Sequence, residues 1–367
     1  MQKNKIMAVV ATRPDAIKMC PLINELREES DLEVTVCSTG QHRDMVNGVL
    51  ELFGLRADFD LAVMKPEQDL FDITLSVLEG MKKLLRAQRP KAVIVHGDTT
   101  SAFASSLAAF YEGIPVYHVE AGLRTYDLSA PFPEEFNRRA ISVIADKHLA
   151  PTASAKENLL SEGIAAEDVE VTGNTITDAL AITVTDKYRS SVLQWAEDGR
   201  LILLTAHRRE NLSGALDDIF SAIKRITLKY PDVKILYPVH PNPKIRALAE
   251  DILGDCPSVR LCPPMDVADF HNVLSRCYLV LTDSGGIQEE AAALHKPTLV
   301  LRNTTERVEE LRLGALRLVG TNESTVYRGI CSLLDNKALY YAMSRGGTPP
   351  SYGKVSRHIV DILKRTV

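Results

Sequence analysis

Strand-like and helix-like hydrophobic patterns alternate along the whole chain, and this alternation is what most constrains its fold. Short runs rich in β-branched residues are typical of buried parallel strands, and longer stretches with apolar residues at helical spacing separate them. Such alternation predicts βαβ units and a parallel sheet. The predicted strands are residues 6–10, 33–37, 93–95, 116–119, 146–150, 201–205, 234–239, 259–261, 279–282 and 298–301.

The chain has 367 residues, which is more than one hydrophobic core usually supports. The alternating pattern weakens after residue 150 and resumes beyond Gly173. We therefore expect an α/β protein with two Rossmann-like domains facing across a cleft, at residues 1–172 and 173–352. A final helix within residues 353–367 is expected to return to the first domain.

Composition excludes several classes of protein. A net charge of -5 argues against a general nucleic-acid binder. No apolar run approaches the roughly 18 residues of a membrane helix, and the first run, residues 6–11, is too short for a signal peptide. The six cysteines form no C-x-x-C pair, so neither a zinc ribbon nor a redox motif is indicated. A reduced cytoplasmic protein is expected.

Acidic residues follow two neighbouring predicted strands. Asp98 and Glu120 would lie at the carboxyl edge of the sheet, where open α/β folds bind ligands. The alternatives are that Asp98 only caps the helix beginning near Thr99, and that Glu120 only begins a loop. The two acids together, with His96 and His118 nearby, favour a catalytic site.

A glycine pair, Gly285 and Gly286, stands between a predicted strand and a predicted helix. Backbone N–H groups in such a turn can approach a phosphate closely. The motif is neither a dinucleotide fingerprint nor a P-loop, which disfavours a dehydrogenase. Glu290 would suit a ribose diol, although Glu289 and Glu290 could instead simply complement the helix dipole.

Basic residues supply the counterpart to the acids. Arg307 suits a diphosphate because its planar fork binds oxyanions in pairs, but alone such a residue is more often a solvated surface arginine. His207 follows a predicted strand and could face a phosphate. Arg13 and Lys18 flank a helix start, where Lys18 would equally fit a solvated position. With Glu134 as a third acid, the pattern suits a sugar nucleotide. Three other histidines fit structural positions: His240, His271 and His295.

Taken together, these motifs resemble the non-hydrolysing UDP-N-acetylglucosamine 2-epimerases of bacteria. They occur in the family's order and cover nearly the whole chain, which is far more specific than any one motif. The matching segments are residues 12–14, 41–43, 96–100, 118–125, 133–135, 173–175, 207–210, 283–290 and 304–307.

The resemblance implies a glycosyltransferase-B-like, cytoplasmic homodimer that needs neither metal nor nicotinamide cofactor and serves cell-envelope polysaccharide synthesis. It implies a UDP-sugar substrate and reversible epimerisation at carbon 2 of UDP-N-acetylglucosamine to UDP-N-acetylmannosamine. The reaction would eliminate UDP to give 2-acetamidoglucal and then add UDP back. By the family's pattern Asp98, Glu120 and Glu134 would be acid/base groups, and His207 would stabilise the departing diphosphate. The substrate-binding residues would be Arg13, Lys18, Phe270, Ser284, Gly285, Gly286, Glu290 and Arg307. A second, activating site would use Gln41, His42, Arg208 and His240.

Some positions depart from the family's pattern. Ala11 replaces a glycine, Asp15 replaces a glutamate, and Val308 replaces a proline. Asp44 and Glu67 add acids beside the second site, which would weaken diphosphate binding there. We therefore expect weak or altered activation by substrate.

Four other functions remain open from the sequence. A glycosyltransferase on the same fold would use the glycine turn and Glu290 equally well, but leaves the three acids unexplained. A regulator would bind a sugar nucleotide without catalysis. A hydrolysing epimerase would release free N-acetylmannosamine, and a related UDP-acetamido sugar could be the substrate.

Overall fold

The computed structural model describes residues 3–41, 43–65, 68–206, 214–305, 307–346 and 354–367. The chain forms two compact units, Met1–Ala181 with Ser351–Val367, and Ile182–Pro350. Residues 173–181, which the sequence pattern assigned to the second domain, lie with the first unit. Four of the singled-out residues fall outside the described ranges: His42, Glu67, His207 and Arg208.

All strand pairings found in the described part of the chain are parallel. The strands of the first unit are β1 (Asn4–Val10), β2 (Leu32–Ser38), β3 (Phe59–Asp60), β4 (Ala92–His96), β5 (Val116–Val119), β6 (Lys147–Ala150) and β7 (Val169–Val171). Those of the second unit are β8 (Arg200–Thr205), β9 (Val233–Pro238), β10 (Val259–Cys262), β11 (Leu279–Thr282), β12 (Thr298–Val300) and β13 (Leu316–Leu318).

Helices connect successive strands, as the alternating pattern predicts. In chain order they are α1 (Arg13–Glu28), α2 (Arg43–Leu52), α3 (Leu70–Gln88), α4 (Thr100–Tyr111), α5 (Glu134–Ile144), α6 (Ala153–Ser161), α7 (Ile176–Thr183), α8 (Ser191–Trp195), α9 (Ala215–Lys229), α10 (Pro243–Leu253), α11 (Val267–Arg276), α12 (Gly285–Ala293), α13 (Val308–Arg312), α14 (Glu323–Asp335), α15 (Lys337–Ser344) and α16 (Val355–Thr366).

The sheet orders are those of two doubly wound folds. Over the described residues, the first sheet runs β3-β2-β1-β4-β5-β6-β7 and the second runs β10-β9-β8-β11-β12-β13. In each sheet the order reverses beside the first strand of the unit, which is where ligands bind in such folds. The prediction of two Rossmann-like α/β domains is confirmed.

Three strands were not predicted from the sequence, namely β3, β7 and β13. Each has only two or three residues and lies at the edge of its sheet. An edge strand this short has no detectable apolar periodicity, because much of it faces solvent.

The final helix α16 packs on α1 of the first unit, as predicted. Its apolar face is buried, including Ile359 and Leu363. The Tyr117 hydroxyl donates to Thr366 Oγ1 at 2.7 Å, and Asp178 accepts from the Ser356 N–H at 2.6 Å. Within the described ranges, no helix combines the length and apolar character that crossing a membrane requires.

Candidate active site

Asp98 stands at the carboxyl end of β4, beside β5. The two strands pair in parallel up to His96 and Val119, so the residues that follow them share one edge of the sheet. The cap of α4 is Thr99, whose Oγ1 accepts from the Ala102 N–H at 3.1 Å. Asp98 is therefore not the helix cap, and the alternative raised from the sequence does not hold.

The carboxylate of Asp98 is held by Arg138 of α5. Arg138 Nε donates to Asp98 Oδ2 at 3.1 Å, and its Nη2 also contacts that oxygen. Arg138 Nη1 donates to Glu135 Oε2 at 2.9 Å, so one buried guanidinium serves two acids. Asn137 Nδ2 donates to the Asp98 carbonyl at 2.9 Å. Sequence reasoning missed Arg138 and Asn137, although the i,i+3 spacing of Glu135 and Arg138 on a helix was a usable signal.

Glu135 also holds the loop that follows β5. Its carboxylate, fully buried, accepts from the backbone N–H groups of Thr125 at 3.0 Å and Tyr126 at 2.9 Å. Glu134 is the first residue of the same helix, where a negative charge is favoured by the helix dipole. Asp98 and the helix start that carries Glu134 are thereby tied together at this edge.

Glu120 follows β5 in an unusual backbone conformation. Its φ is +65°, in the left-handed region that a non-glycine residue adopts at a cost of about 1–3 kcal/mol. The Glu120 Oε2 atom accepts from Lys18 Nζ, and both side chains are at most 9% exposed. Lys18 is thus buried rather than solvated, and its partner lies 102 positions away in the sequence.

His96 lies between two carboxylates. Its Nδ1 is 3.6 Å from Asp15 Oδ1 and its Nε2 is 3.6 Å from Glu120 Oε2, with the imidazole almost fully buried. A neutral imidazole has one donor nitrogen, so it can donate to only one of these acids at a time. Neither His96 nitrogen has a hydrogen-bond partner among the described residues, so these are close contacts within a buried cluster of titratable side chains: Lys18, His96, Asp15 and Glu120.

The two other polar neighbours of the acids are structural. His118 Nε2 lies 2.7 Å from the Gly97 carbonyl oxygen, and burial lowers the pKa of His118 to about 3, which keeps it neutral. Arg124 makes two hydrogen bonds of 2.8 Å with the Glu162 carboxylate. These hydrogen bonds with Arg124 hold the pKa of Glu162 below its ordinary value.

Gly122 fixes the turn after Glu120, which leads to a prediction. Its φ is +89°, and an added Cβ would lie 2.2 Å from the Ala155 carbonyl oxygen. Gly163 has the same φ, but an added Cβ there would meet no atom of the described residues within 4 Å. We expect Gly122→Ala to lower the free energy of unfolding by about 2–4 kcal/mol, and Gly163→Ala by about 1 kcal/mol, because only the first adds a clash to the backbone strain. Urea unfolding measures both, and equal losses would contradict the prediction.

In the second unit, α12 begins at the glycine pair. Ser284 is its N-cap, and the Ser284 N–H donates to Thr282 Oγ1 at 3.0 Å. An added Cβ at Gly286 would meet no atom of the described residues within 4 Å, so none of them covers this position. Glu289 and Glu290 occupy the fifth and sixth positions of the helix. They are too far from its N-terminus to complement the dipole, and that alternative does not hold.

Arg307 is buried and bound to an acid. Its Nε donates to Glu289 Oε1 at 2.6 Å, and its Nη2 lies 2.5 Å from the same oxygen. Thr305 Oγ1 donates to Gln288 Oε1 at 2.7 Å, which fastens the loop after β12 to α12. Arg307 is only 8% exposed, so it is not a solvated surface arginine.

Glu290 is buried on the inner side of α12. Its Oε2 atom has no hydrogen-bond partner among the described residues, and the nearest charged contact is His271 Nε2 at 3.7 Å. Phe270, beside His271 on α11, packs into an apolar cluster with Leu236 and Val273. His271 therefore lies next to Glu290, a candidate binding residue, although its position in a helical stretch indicated only a structural role.

The remaining singled-out residues have these positions in the structure. Arg13 is the first residue of α1, Ala11 is buried directly after β1, and Val308 is the exposed first residue of α13. Gln41 Oε1 accepts from Ser101 Oγ at 2.9 Å. His240 and Asp44 are exposed at the surface. The described residues contain no group of three or more His, Cys, Asp or Glu side chains arranged to hold a metal ion.

Two parallel sheets of this order define an α/β fold of the glycosyltransferase-B-like class, and sequence comparison gives the family. The model of the family described as UDP-N-acetylglucosamine 2-epimerase matches residues 24–364. The chain belongs to the UDP-N-acetylglucosamine 2-epimerase family. The resemblance seen in the motifs is confirmed.

Individual relatives match over almost their whole length. The UDP-N-acetylglucosamine 2-epimerase of Bacillus subtilis (strain 168) is 48% identical over 363 residues, which cover 99% of this chain and 96% of the relative. The structure of S. aureus MnaA with UDP has a TM-score of 0.94 at 45% identity, covering 99% of this chain and 96% of that one. The Neisseria meningitidis UDP-GlcNAc 2-epimerase bound to UDP-GlcNAc has a TM-score of 0.93 at 42% identity, covering 99% and 100%.

Proposed function

We propose that the protein interconverts UDP-N-acetylglucosamine and UDP-N-acetylmannosamine by eliminating and re-adding UDP. A carboxylate takes the proton from carbon 2 while the bond between carbon 1 and the diphosphate oxygen breaks, which gives 2-acetamidoglucal and UDP. UDP then re-forms the bond to carbon 1, and a proton reaches carbon 2 from the opposite face. No redox cofactor or metal enters this balance.

The observation that carries the proposal is the set of acids at the β4–β5 edge. One fixed base cannot easily serve both faces of carbon 2, so two acid/base groups are needed. Asp98 bound to Arg138 and Glu120 bound to Lys18 and near His96 offer two carboxylates with different surroundings. Glu134 is the third candidate, and Asp98, Glu120 and Glu134 are proposed as the acid/base groups.

The nucleotide is proposed to bind the second unit at the start of α12. Ser284, Gly285 and Gly286 would bind phosphate through backbone N–H groups and the helix N-terminus. Glu290 Oε2, which has no hydrogen-bond partner among the described residues, would accept hydrogen bonds from ribose. Arg307, held by Glu289, would face the diphosphate. His207, Arg13, Lys18 and Phe270 keep their proposed roles from the family's pattern. Relatives solved with UDP and with UDP-GlcNAc support a UDP-sugar substrate.

Proton NMR of the protein with UDP-N-acetylglucosamine in heavy water tests the reaction. We expect UDP-N-acetylmannosamine to form with deuterium at carbon 2, because the abstracted proton exchanges with solvent. Free N-acetylmannosamine plus UDP would instead indicate hydrolysis. An unchanged spectrum from protein that binds UDP in calorimetry would contradict this substrate and favour another UDP-sugar or a transferase.

We also propose a cytoplasmic homodimer that pairs through α3, α4 and α5. These helices pack side by side on the first unit. They expose several large apolar side chains, and monomeric proteins rarely expose large apolar patches. The residues are Phe71, Leu75, Phe110, Phe136 and Val143. Sedimentation equilibrium measures the oligomeric state of the wild type and of Val143→Asp. A monomeric wild type would contradict the pairing.

A further inference from the structure

The carboxylate of Glu290 is buried with one oxygen that nothing in the described chain hydrogen-bonds. Glu290 is 9% exposed, and its Oε2 atom has no donor among the described residues. A buried carboxylate is costly unless a donor or a charge compensates it. The orientation of the Glu290 carboxylate toward a ligand hydroxyl therefore depends on the side chain that packs beside it.

The neighbour of that oxygen is His271, a residue to which the sequence analysis gave only a structural role. His271 is 1% exposed on α11, with Nε2 3.7 Å from Glu290 Oε2. Its other nitrogen, Nδ1, is 2.7 Å from the hydroxyl oxygen of Thr183. If that hydroxyl donates to Nδ1, the ring proton is on Nε2 and points at the carboxylate. The opposite neutral tautomer would put a lone pair against the carboxylate, which is unfavourable.

Thr183 is itself held by the helix that carries His271. Asn272 Nδ2 donates to the Thr183 carbonyl at 2.7 Å, and Asn272 Oδ1 accepts from the Thr185 N–H at 3.0 Å. Arg276 Nη2 donates to the Thr185 carbonyl at 2.6 Å. The segment that begins the second unit is thus bonded along α11, and the Thr183 hydroxyl has a defined position from which to orient the imidazole.

We infer that His271, oriented by Thr183, is a positioning residue that aims the Glu290 carboxylate at a ribose hydroxyl of bound UDP. His271 does not touch the nucleotide; it acts through Glu290. The inference rests on the nucleotide assignment in the proposed function. The inference extends that assignment by a relay of three side chains, Thr183–His271–Glu290. In this relay Thr183 orients His271 and His271 orients Glu290, which determines how tightly the ribose is bound.

Two substitutions of His271 test the roles of the two ring nitrogens separately. In His271→Gln the amide nitrogen replaces Nε2, which faces Glu290; in His271→Asn the amide group reaches only the position of Nδ1, which faces Thr183. Calorimetry of UDP, 2′-deoxy-UDP and 3′-deoxy-UDP needs no turnover. We expect His271→Asn to raise the Kd for UDP about tenfold and His271→Gln to stay within about threefold of wild type, because only the second keeps a donor for Glu290.

The deoxy analogues distinguish positioning from a general loss of structure. The analogue that lacks the hydroxyl bound by Glu290 should bind wild type and His271→Asn alike, because its contact is already gone. Thr183→Val should weaken UDP binding in the same selective way, whereas Thr183→Ser, which keeps the hydroxyl, should not.

Two results would overturn the inference alone: wild-type UDP affinity in His271→Asn, or equal weakening of UDP and both analogues. Wild type that binds no UDP at all would overturn the nucleotide assignment together with the inference. A protein that binds UDP with the expected selectivity but leaves carbon 2 unexchanged in the heavy-water experiment would overturn the proposed reaction and support the relay.

Discussion

Glu120→Gln is expected to lower kcat by a factor of about 10²–10⁴, because an amide cannot take or release the proton that a carboxylate transfers. The substitution keeps the side-chain volume, and the amide oxygen can still accept from Lys18 Nζ, whose present partner is Glu120 Oε2. We expect the Kd for UDP to change little, since the proposed phosphate and ribose contacts of Ser284, Gly285, Gly286 and Glu290 lie in the second unit and Lys18 keeps an acceptor. Initial rates of epimerisation measured by NMR or by a coupled assay give kcat.

The matched control is Glu79→Gln on α3. Glu79 is an exposed acid paired with Lys83 one helical turn away, and such a surface pair contributes little to the free energy of folding. The control should keep wild-type kcat and a wild-type thermal transition. A Glu120→Gln enzyme with kcat within tenfold of wild type would remove Glu120 from the acid/base groups and leave Asp98 and Glu134 to serve both faces.

Arg138→Met is expected to cause the largest loss of stability. The change removes from Asp98 and the fully buried Glu135 the guanidinium that both carboxylates share. Removing one partner of a buried ion pair costs about 3–5 kcal/mol, because an uncompensated charge stays in the interior. For a domain of this size that lowers Tm by roughly 10 °C. Thermal unfolding followed by circular dichroism measures the shift, and kcat should fall as well because Asp98 loses its fixed position.

The neighbouring arginine supplies the control. Arg139 has the same chemistry one residue along, but its side chain is 43% exposed and its Nε lies 3.8 Å from Glu162, which Arg124 already binds. Arg139→Met should cost at most about 1 kcal/mol. Similar Tm shifts in the two variants would mean that the buried ion pairs of Arg138 contribute nothing special to stability.

Central parts of the fold could be predicted because burial leaves a strong pattern. The strand Leu279–Thr282 was predicted to the residue, since β11 lies between β8 and β12 and is buried on both faces. The edge strands were missed because three residues with one solvated side, such as those around Arg317 in β13, carry no such signal.

The positions of Asp98 and Glu120 at the edge of the sheet could be predicted, but the partners of these acids could not. Asp98 and Glu120 follow directly from strand ends, where a parallel sheet presents side chains to a ligand. The contacts of Lys18 with Glu120 and of His271 with Glu290 join distant parts of the chain, so no local pattern indicates them. The left-handed backbone conformation of Glu120 could not be predicted either, because the residue is neither glycine nor asparagine, the types that usually indicate this conformation.

That backbone conformation and the buried Lys18 together restrict how this position can change over evolutionary time. By conformation alone, drift toward glycine at residue 120 would relieve strain. Any such step strands the ammonium of Lys18, which is only 4% exposed, without its carboxylate. Neither residue can be exchanged first without loss, so descendants that abandon this chemistry should have replaced the two residues as a pair.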